Sequence, residues 1–173
     1  MNFKKQIREI PNWPIQGVRF YDFTTLLQNK NGLKQVVDEL CKPYKNKKID
    51  KIVAIDARGF LLATPMAYKL KTGVCLVRKK GKLPYKTIKA SYKKEYGIDT
   101  LTMHKDTIKP NERVLIVDDL IATGGTMQAT VRLVEKLKGK IVGIACIIDL
   151  PFFGGSKKLS KYKQHFLVSY ESG

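Results

Sequence analysis

Few features of this 173-residue sequence suggest disulfides, a membrane span or a metal cluster. The three cysteines, Cys41, Cys75 and Cys146, are isolated and set among apolar residues, which is typical of buried thiols. The longest apolar run, near residues 141–148, is too short to cross a bilayer. The first residues lack the apolar centre of a signal peptide, so we expect a cytoplasmic protein.

Acidic residues are also scarce, since 15 Asp and Glu stand against 33 Lys and Arg, which gives a formal charge of +18. Such a charge suits small anionic substrates, nucleic acid or an anionic membrane surface. However, only six of the basic residues are arginine, the usual reader of base edges, and the lysines are scattered over every segment. We therefore expect small anionic substrates and neither a nucleic-acid nor a membrane partner.

Two nucleotide-binding motifs are absent. The sequence contains neither a glycine-rich loop ending in Gly-Lys-Ser/Thr nor the G-x-G-x-x-G pattern, which excludes both of these fingerprints. His104 and His165 are isolated, so a surface or structural position suits them better than a metal site. We expect no metal held directly by protein side chains.

The apolar pattern alternates between strand and helix and predicts one α/β domain over residues 1–173. We expect a doubly wound, mostly parallel sheet flanked by helices, with the N-terminal 30 or so residues outside it. Leu101 and Met103 alternate with polar residues and predict a more exposed strand. The predicted buried strands are 51–55, 73–77, 114–117 and 141–148, the helices lie near 33–41, 59–70 and from 127, and an edge strand lies near 166–170.

The most informative segment is 114–127. Its apolar start is typical of a parallel strand buried on both faces, and open α/β sheets bind ligands at the carboxyl ends of such strands. In the turn that follows, glycines let the backbone approach a ligand, and a helix start presents unpaired N–H groups. A phosphate fits this turn, for which the candidate residues are Ala122, Thr123, Gly124, Gly125 and Thr126.

Asp118 and Asp119 lie between that strand and that turn. They would repel a bare phosphate, but they suit the two hydroxyls of a ribose, and their charge would stabilise a ribosyl cation. An acidic strand end that caps the next helix is common for one aspartate but explains the pair poorly. We predict that one loop binds both a phosphate and a ribose.

This composite resembles the phosphoribosyl-diphosphate motif of the type I phosphoribosyltransferases. Three further blocks, residues 17–27, 56–67 and 77–99, are similar to segments of the adenine branch of that family in the same order. The resemblance implies the type I phosphoribosyltransferase fold, with residues 1–30 as a base-binding hood and 79–99 as a flexible catalytic lid. It also implies a homodimer.

The resemblance assigns a second strand end, at Asp56 and the residues after it, to the leaving pyrophosphate, and there the Asp56–Ala57 peptide is typically cis. Exposed N–H groups and guanidinium groups suit such an anion, although Arg58 could equally be a surface ion-pair partner. Mg²⁺ would arrive with the donor and bridge its oxygens. The candidate pyrophosphate residues are Ala57, Arg58, Arg78, Lys79 and Lys82.

Glu95 stands among the lysines of the polar segment that reaches Asp99, a segment otherwise typical of a solvated loop. By itself Glu95 would be interpreted as a surface residue. It matches the glutamate of the family lid, which excludes water from a ribosyl cation. The resemblance implies that Glu95 carries a proton to or from the purine.

The base needs a flat apolar slot, which Phe20 and Leu120 could form from its two faces. In the family, backbone groups beside that phenylalanine read the adenine edge, and they correspond to Arg19 and Tyr21. Relatives usually carry a basic residue where Tyr21 stands. Without the resemblance, Phe20 would be an ordinary core aromatic.

The resemblance implies transfer of a 5-phosphoribosyl group from its 1-diphosphate to adenine, giving AMP and diphosphate in purine salvage. Asp118, Asp119 and Glu95 would be the catalytic residues. Two alternatives remain: another purine (xanthine, hypoxanthine or guanine) as acceptor, and a nucleic-acid-binding regulator on the same fold. The absence of an added DNA-binding domain and the retained Glu95 argue against the regulator.

Overall fold

The computed structural model describes residues 2–93 and 97–172. This part of the chain contains nine strands and five α-helices. The strands are β1 (Arg8–Pro11), β2 (Arg19–Asp22), β3 (Lys51–Ile55), β4 (Gly73–Lys79), β5 (Thr87–Lys93), β6 (Ile98–His104), β7 (Arg113–Ile121), β8 (Lys140–Asp149) and β9 (Gln164–Ser169). The helices are α1 (Thr24–Leu27), α2 (Lys30–Cys41), α3 (Arg58–Leu70), α4 (Gly125–Lys136) and α5 (Gly155–Lys158).

Seven strands form one sheet in the order β5-β6-β4-β3-β7-β8-β9. β3 pairs in parallel with β4 and β7, and the parallel pairing continues through β8 to β9. β5 and β6 add an antiparallel pair at one edge. The predicted fold class, a mostly parallel α/β sheet flanked by helices, is confirmed. Since the carboxyl ends of β3, β4 and β7 share one edge, the loops that follow them lie together.

Helices cover both faces of this sheet. Leu115 and Val117 of β7 face the core shared with α2 and α3, whereas Val114 and Ile116 face the core shared with α4. The strand pleat explains this alternation, because successive side chains point to opposite faces. Full burial of one such aliphatic side chain contributes about 1.5–3 kcal/mol. The part of β7 that precedes the two carboxylates is therefore well packed on both faces.

Three expectations about the sheet were wrong. Leu101 and Met103, predicted as more exposed, are 3% and 0% exposed, because β6 lies inside the sheet and packs under α4. Part of the polar segment predicted as a loop, residues 87–93, is strand β5. The strand predicted at 114–117 continues to Ile121, so both aspartates lie inside β7.

The N-terminal ribbon is separate from the main sheet. β1 and β2 pair in antiparallel register, with Arg19 opposite Pro11 and Tyr21 opposite Glu9. The rings of Trp13 and Phe20 meet edge to face, with centroids 4.5 Å apart. The ribbon occupies the predicted hood, whose base-binding role stays a prediction.

The described residues contain no helix with both the length and the apolar character needed to cross a membrane. The predicted helix over 59–70 is confirmed as α3, and Pro65 lies inside it. Because proline has no N–H, it cannot donate to the carbonyl of Leu61 one turn earlier. Leu61 is 53% exposed, so α3 tolerates this missing bond on an outward face.

Candidate active site

The turn between β7 and α4 encloses a cavity of about 220 Å³. Gly124 adopts φ +80° immediately before α4 begins at Gly125. Such a conformation favours glycine, and the start of a helix leaves N–H groups without intrahelical partners. The structure brings the five predicted phosphate-loop residues together with both carboxylates, because the cavity is lined by Arg58 and by residues 118–127.

A second loop supports the phosphate loop from behind. The Gly155 N–H donates to the Ala122 carbonyl at 3.0 Å, and Lys158 Nζ donates to the Thr123 carbonyl at 3.0 Å. A Cβ at Gly155 would lie 2.2 Å from that Ala122 oxygen and 2.6 Å from the nitrogen of Gly124. Sequence reasoning missed this support, for which the Gly-Gly pair after β8 was the available sign.

The two carboxylates differ in exposure, since Asp119 is buried and Asp118 is half-buried. Burial raises the pKa of Asp118 well above its ordinary value, and the charge of Asp119 adds to the shift. Burial also raises the pKa of Asp119, although the guanidinium of Arg58 opposes it. The Asp119 N–H donates to Asp118 Oδ1 at 2.9 Å. This pair is well placed to accept hydrogen bonds from ligand hydroxyls, which favour the charged form.

Arg58 lies between the acid pair and the N-terminal ribbon. Its Nη2 is 2.9 Å from Asp119 Oδ2, and its guanidinium carbon is 5.4 Å from the centroid of the Phe20 ring and 5.8 Å from that of Phe23. It thus bridges the acid pair and the hood by an ion pair and a cation–π contact. Sequence reasoning assigned Arg58 to the pyrophosphate, and its contact with Asp119 was not foreseen.

The other pyrophosphate candidates gather at the ends of β3 and β4. The Asp56–Ala57 peptide is cis, and Ala57 is the N-cap of α3. Arg78 Nε donates to Asp56 Oδ2 at 2.8 Å, and its Nη1 donates to the Lys82 carbonyl at 3.0 Å. Lys79 Nζ lies 3.4 Å from Asp99 Oδ2. Lys79 and Lys82 are exposed, so both cations are accessible to an anion.

Close packing of α3 on β7 brings these loops beside the phosphate loop. A Cβ at Gly59 would lie 3.0 Å from the Val117 carbonyl and 3.1 Å from Asp118 Oδ1. Only glycine allows this approach without displacing the carboxylate. The Arg-Gly sequence at 58–59 therefore has a packing reason as well as a charge.

The four base candidates occupy different surroundings. Phe20 is half-buried in the hood, and Leu120 lines the cavity beside Asp119. Arg19 is paired through its Nη1 with Glu9 Oε2 at 3.0 Å. Tyr21 as a whole residue is 2% exposed, and its side chain lies in the core, where its hydroxyl donates to the Ser172 carbonyl at 3.3 Å. Its side chain is therefore not available to contact a ligand.

The catalytic candidate Glu95 lies outside the described residues. Its two flanking strands are described, and β5 and β6 pair from Thr87 with His104 to Lys93 with Ile98. Among the described residues, no group of three or more His, Cys, Asp or Glu side chains could hold a metal ion. All three cysteines are buried and unpaired.

Comparison with known proteins identifies the class. Residues 23–169 match the family model of the phosphoribosyl transferase domain, which is most of the chain. The chain belongs to the phosphoribosyl transferase family.

The particular branch follows from full-length relatives. The chain is 51% identical over 171 residues to adenine phosphoribosyltransferase from Desulfosudis oleivorans, covering 99% of each chain. The crystal structure of adenine phosphoribosyltransferase from Rhodothermus marinus superposes with a TM-score of 0.92 at 44% identity, covering 97% of this chain and 96% of that one. The Saccharomyces cerevisiae enzyme, solved with adenine and D-2,5-dideoxy-2,5-imino-altritol 1,6-bisphosphate, gives 0.91 at 36% identity and covers 96% of each. These matches place the chain among the adenine phosphoribosyltransferases.

Proposed function

We propose that this protein transfers the 5-phosphoribosyl group of 5-phospho-α-D-ribose 1-diphosphate to adenine, producing AMP and diphosphate. One observation carries the proposal: a single cavity is lined by both the glycine-rich helix start and two adjacent carboxylates whose pKa values are raised by burial. The helix start suits a phosphate and the carboxylates suit a ribose. The groups that would bind these two parts of the donor are therefore adjacent in one turn of the chain. The family and the full-length relatives support the same reaction.

The sugar is held at its phosphate and at its hydroxyls. The backbone N–H groups and hydroxyls of Ala122, Thr123, Gly124, Gly125 and Thr126 bind the 5-phosphate. Asp118 and Asp119 accept hydrogen bonds from the ribose hydroxyls, and their negative charge stabilises the ribosyl cation as the bond to pyrophosphate breaks. The ion pair between Arg58 and Asp119 must loosen to admit the ribose, which releases a guanidinium beside the leaving group.

The leaving pyrophosphate is bound by groups at the ends of β3 and β4. Positive charge comes from Arg78, which is anchored by Asp56, and from the exposed Lys79 and Lys82. The start of α3, at Ala57 and Arg58, offers backbone N–H groups without intrahelical partners. A Mg²⁺ ion bound to the donor would supply charge neutralisation for the leaving group. Among the described residues no group of three or more His, Cys, Asp or Glu side chains could hold this ion, so oxygens of the donor would supply most of its ligands.

Adenine lies between the Phe20 ring and Leu120. Backbone groups of Arg19 and Tyr21 read its edge, which agrees with the inward direction of the Tyr21 side chain. Glu95, in the lid segment 79–99, carries the proton that the purine ring exchanges during attack. Closure of that lid keeps water away from the ribosyl cation.

We also propose a cytoplasmic homodimer. Three buried, unpaired cysteines suit a reducing compartment. Leu61 and Tyr68 are two turns apart on one outward face of α3 and are 53% and 90% exposed, so a second copy could cover them. Sedimentation equilibrium tests this state, and a monomer at micromolar concentration would contradict it.

The reaction is tested by measuring pyrophosphate release and AMP formation with adenine, hypoxanthine, guanine and xanthine. Adenine is expected to exceed the oxopurines by at least roughly 100-fold in kcat/KM, because buried edge groups left unpaired are costly. A preference for an oxopurine would show that this purine, and not adenine, is the acceptor. No turnover with any purine, together with salt-sensitive binding of DNA or RNA, would favour the regulator.

A further inference from the structure

Tyr92 of β5 packs directly on the phosphate loop. A Cβ at Gly125 would lie only 2.7 Å from Cδ2 of the Tyr92 ring, so the ring is seated against the first residue of α4. The Thr126 hydroxyl donates to Tyr92 Oη at 3.1 Å. Tyr92 thus contacts two residues of the phosphate loop, Gly125 and Thr126, without lining the cavity of about 220 Å³ itself.

Tyr92 also connects this loop to the pyrophosphate end of the site. Its hydroxyl donates to Asp99 Oδ2 at 3.4 Å, and the same oxygen lies 3.4 Å from Lys79 Nζ. A continuous chain of polar contacts therefore runs from Thr126 through Tyr92 and Asp99 to Lys79. Its two ends are residues that we assign to the two phosphate groups of the donor.

The helix that starts at the phosphate loop holds β5 in place. Arg132 Nη2 donates to the Ser91 carbonyl at 2.7 Å, and Lys136 Nζ donates to the Lys89 carbonyl at 2.7 Å. Residues four apart on a helix and two apart on a strand are each spaced by roughly 6–7 Å, so the two sets match. β5 is an edge strand, so one of its sides has no neighbouring strand within the described part of the chain. The two side chains of α4 donate hydrogen bonds to its Lys89 and Ser91 carbonyls. They therefore connect the helix that starts at the phosphate loop to β5.

We propose that Tyr92 is a positioning residue that acts through Thr126. Its hydroxyl orients the Thr126 hydroxyl for the 5-phosphate and couples occupancy of the phosphate loop to the β5–β6 pair. The inference rests on the proposed function, since it takes the loop as the 5-phosphate site. When a phosphate accepts the Thr126 hydrogen, Tyr92 Oη can donate to Thr126 Oγ1 in place of Asp99. Phosphate binding then removes a hydrogen bond from Asp99, which contacts Lys79.

The test compares Tyr92→Phe with the matched control Tyr162→Phe, which removes a hydroxyl that donates to Glu135 Oε1 at 2.6 Å and does not line the cavity. Ribose 5-phosphate and inorganic pyrophosphate are titrated separately by calorimetry. Tyr92→Phe keeps the ring on Gly125 and is expected to weaken ribose 5-phosphate binding about 3- to 10-fold, the usual effect of losing one hydrogen bond. The donor KM should rise by a similar factor while kcat stays within about twofold. Tyr162→Phe should change none of these values.

A double-mutant cycle separates positioning from general loosening. In a Thr126→Val background, Tyr92→Phe should weaken ribose 5-phosphate binding no further, because the hydroxyl through which it acts is gone. Fully additive losses, or wild-type binding by Tyr92→Phe, would overturn the proposal. Failure of the proposed function would show differently: wild-type protein would form no AMP, whereas the ribose 5-phosphate titrations would still report on Tyr92 and Thr126.

Discussion

The substitution Gly155→Ala tests whether the phosphate loop is held from behind. The new Cβ would lie 2.2 Å from the Ala122 carbonyl oxygen and 2.6 Å from the Gly124 nitrogen, whereas ordinary contacts begin near 3.4 Å. Both close atoms are backbone, so rotation of a side chain cannot relieve the clash. The loop must therefore move away from α5 by about 1 Å, the scale of misplacement that costs about 100-fold in rate.

We expect Gly155→Ala to lower kcat/KM for the donor by roughly 100-fold. Overpacking of this kind costs about 1–3 kcal/mol of folding free energy. At this chain length, that cost corresponds to a fall of roughly 3–9 °C in Tm. The assay is the initial rate of pyrophosphate release over a range of donor concentrations, together with thermal unfolding of the same preparation.

The neighbouring Gly154→Ala is the matched control. Gly154 has φ +74°, but no atom beyond its chain neighbours lies within 4 Å of the position that an alanine methyl group would take. Alanine there strains the backbone by about 1–2 kcal/mol without pushing on the phosphate loop. It should therefore lower Tm while leaving the donor KM near the wild-type value. A Gly155→Ala enzyme with wild-type donor kinetics, or equal kinetic losses in both variants, would refute the reasoning.

Three further predictions concern the carboxylates. Asp119→Asn should lower kcat by about 100-fold or more through lost charge stabilisation while circular dichroism still shows a folded chain, and full activity would remove the ribose assignment. Asp118→Asn should be inactive yet more stable at pH 7 by about 0.5–2 kcal/mol. The reason is that burial raises the pKa of Asp118 above its unfolded value of 3.8, so wild-type stability falls as pH rises from that value through the folded pKa. Thermal unfolding between pH 4 and 8 checks this, and a lower Tm for the variant throughout would contradict it. Glu95→Ala should slow kcat with little change in donor KM, and unchanged turnover would take Glu95 out of the mechanism.

The central strands could be predicted from sequence because local apolar runs determine them. β3 was predicted with its observed bounds, and the phosphate-loop helix was predicted to follow β7. β7 was predicted too short because Asp118 and Asp119 end the apolar run, although the backbone continues to pair with β8 as far as Ile121. Polarity therefore misplaced the end of the strand.

The edge of the sheet was harder to predict. β5 is rich in lysine, and its stability as a strand comes from pairing with β6 and from Arg132 and Lys136 of α4. These partners are far away in the sequence. A polar edge strand and a solvated loop therefore look alike until the tertiary neighbours are known.

The contacts that organise the site share this long-range origin. The predicted residues of the phosphate loop and the acid pair are contiguous, so their shared cavity could be inferred from the chain itself. The ion pair of Arg58 with Asp119, the support from Gly155 and the contact of Tyr92 with Thr126 join separate elements. Periodicity and motif spacing contain no information on such pairs.

The most direct measurement is a crystal structure of the protein with bound AMP. We predict that the phosphate lies about 2.7–3.2 Å from backbone nitrogens between Thr123 and Thr126. The ribose hydroxyls should meet Asp118 and Asp119, with Arg58 displaced from its ion pair, and the base should lie against Phe20. A phosphate bound outside this turn, or a ribose that touches neither aspartate, would contradict the account.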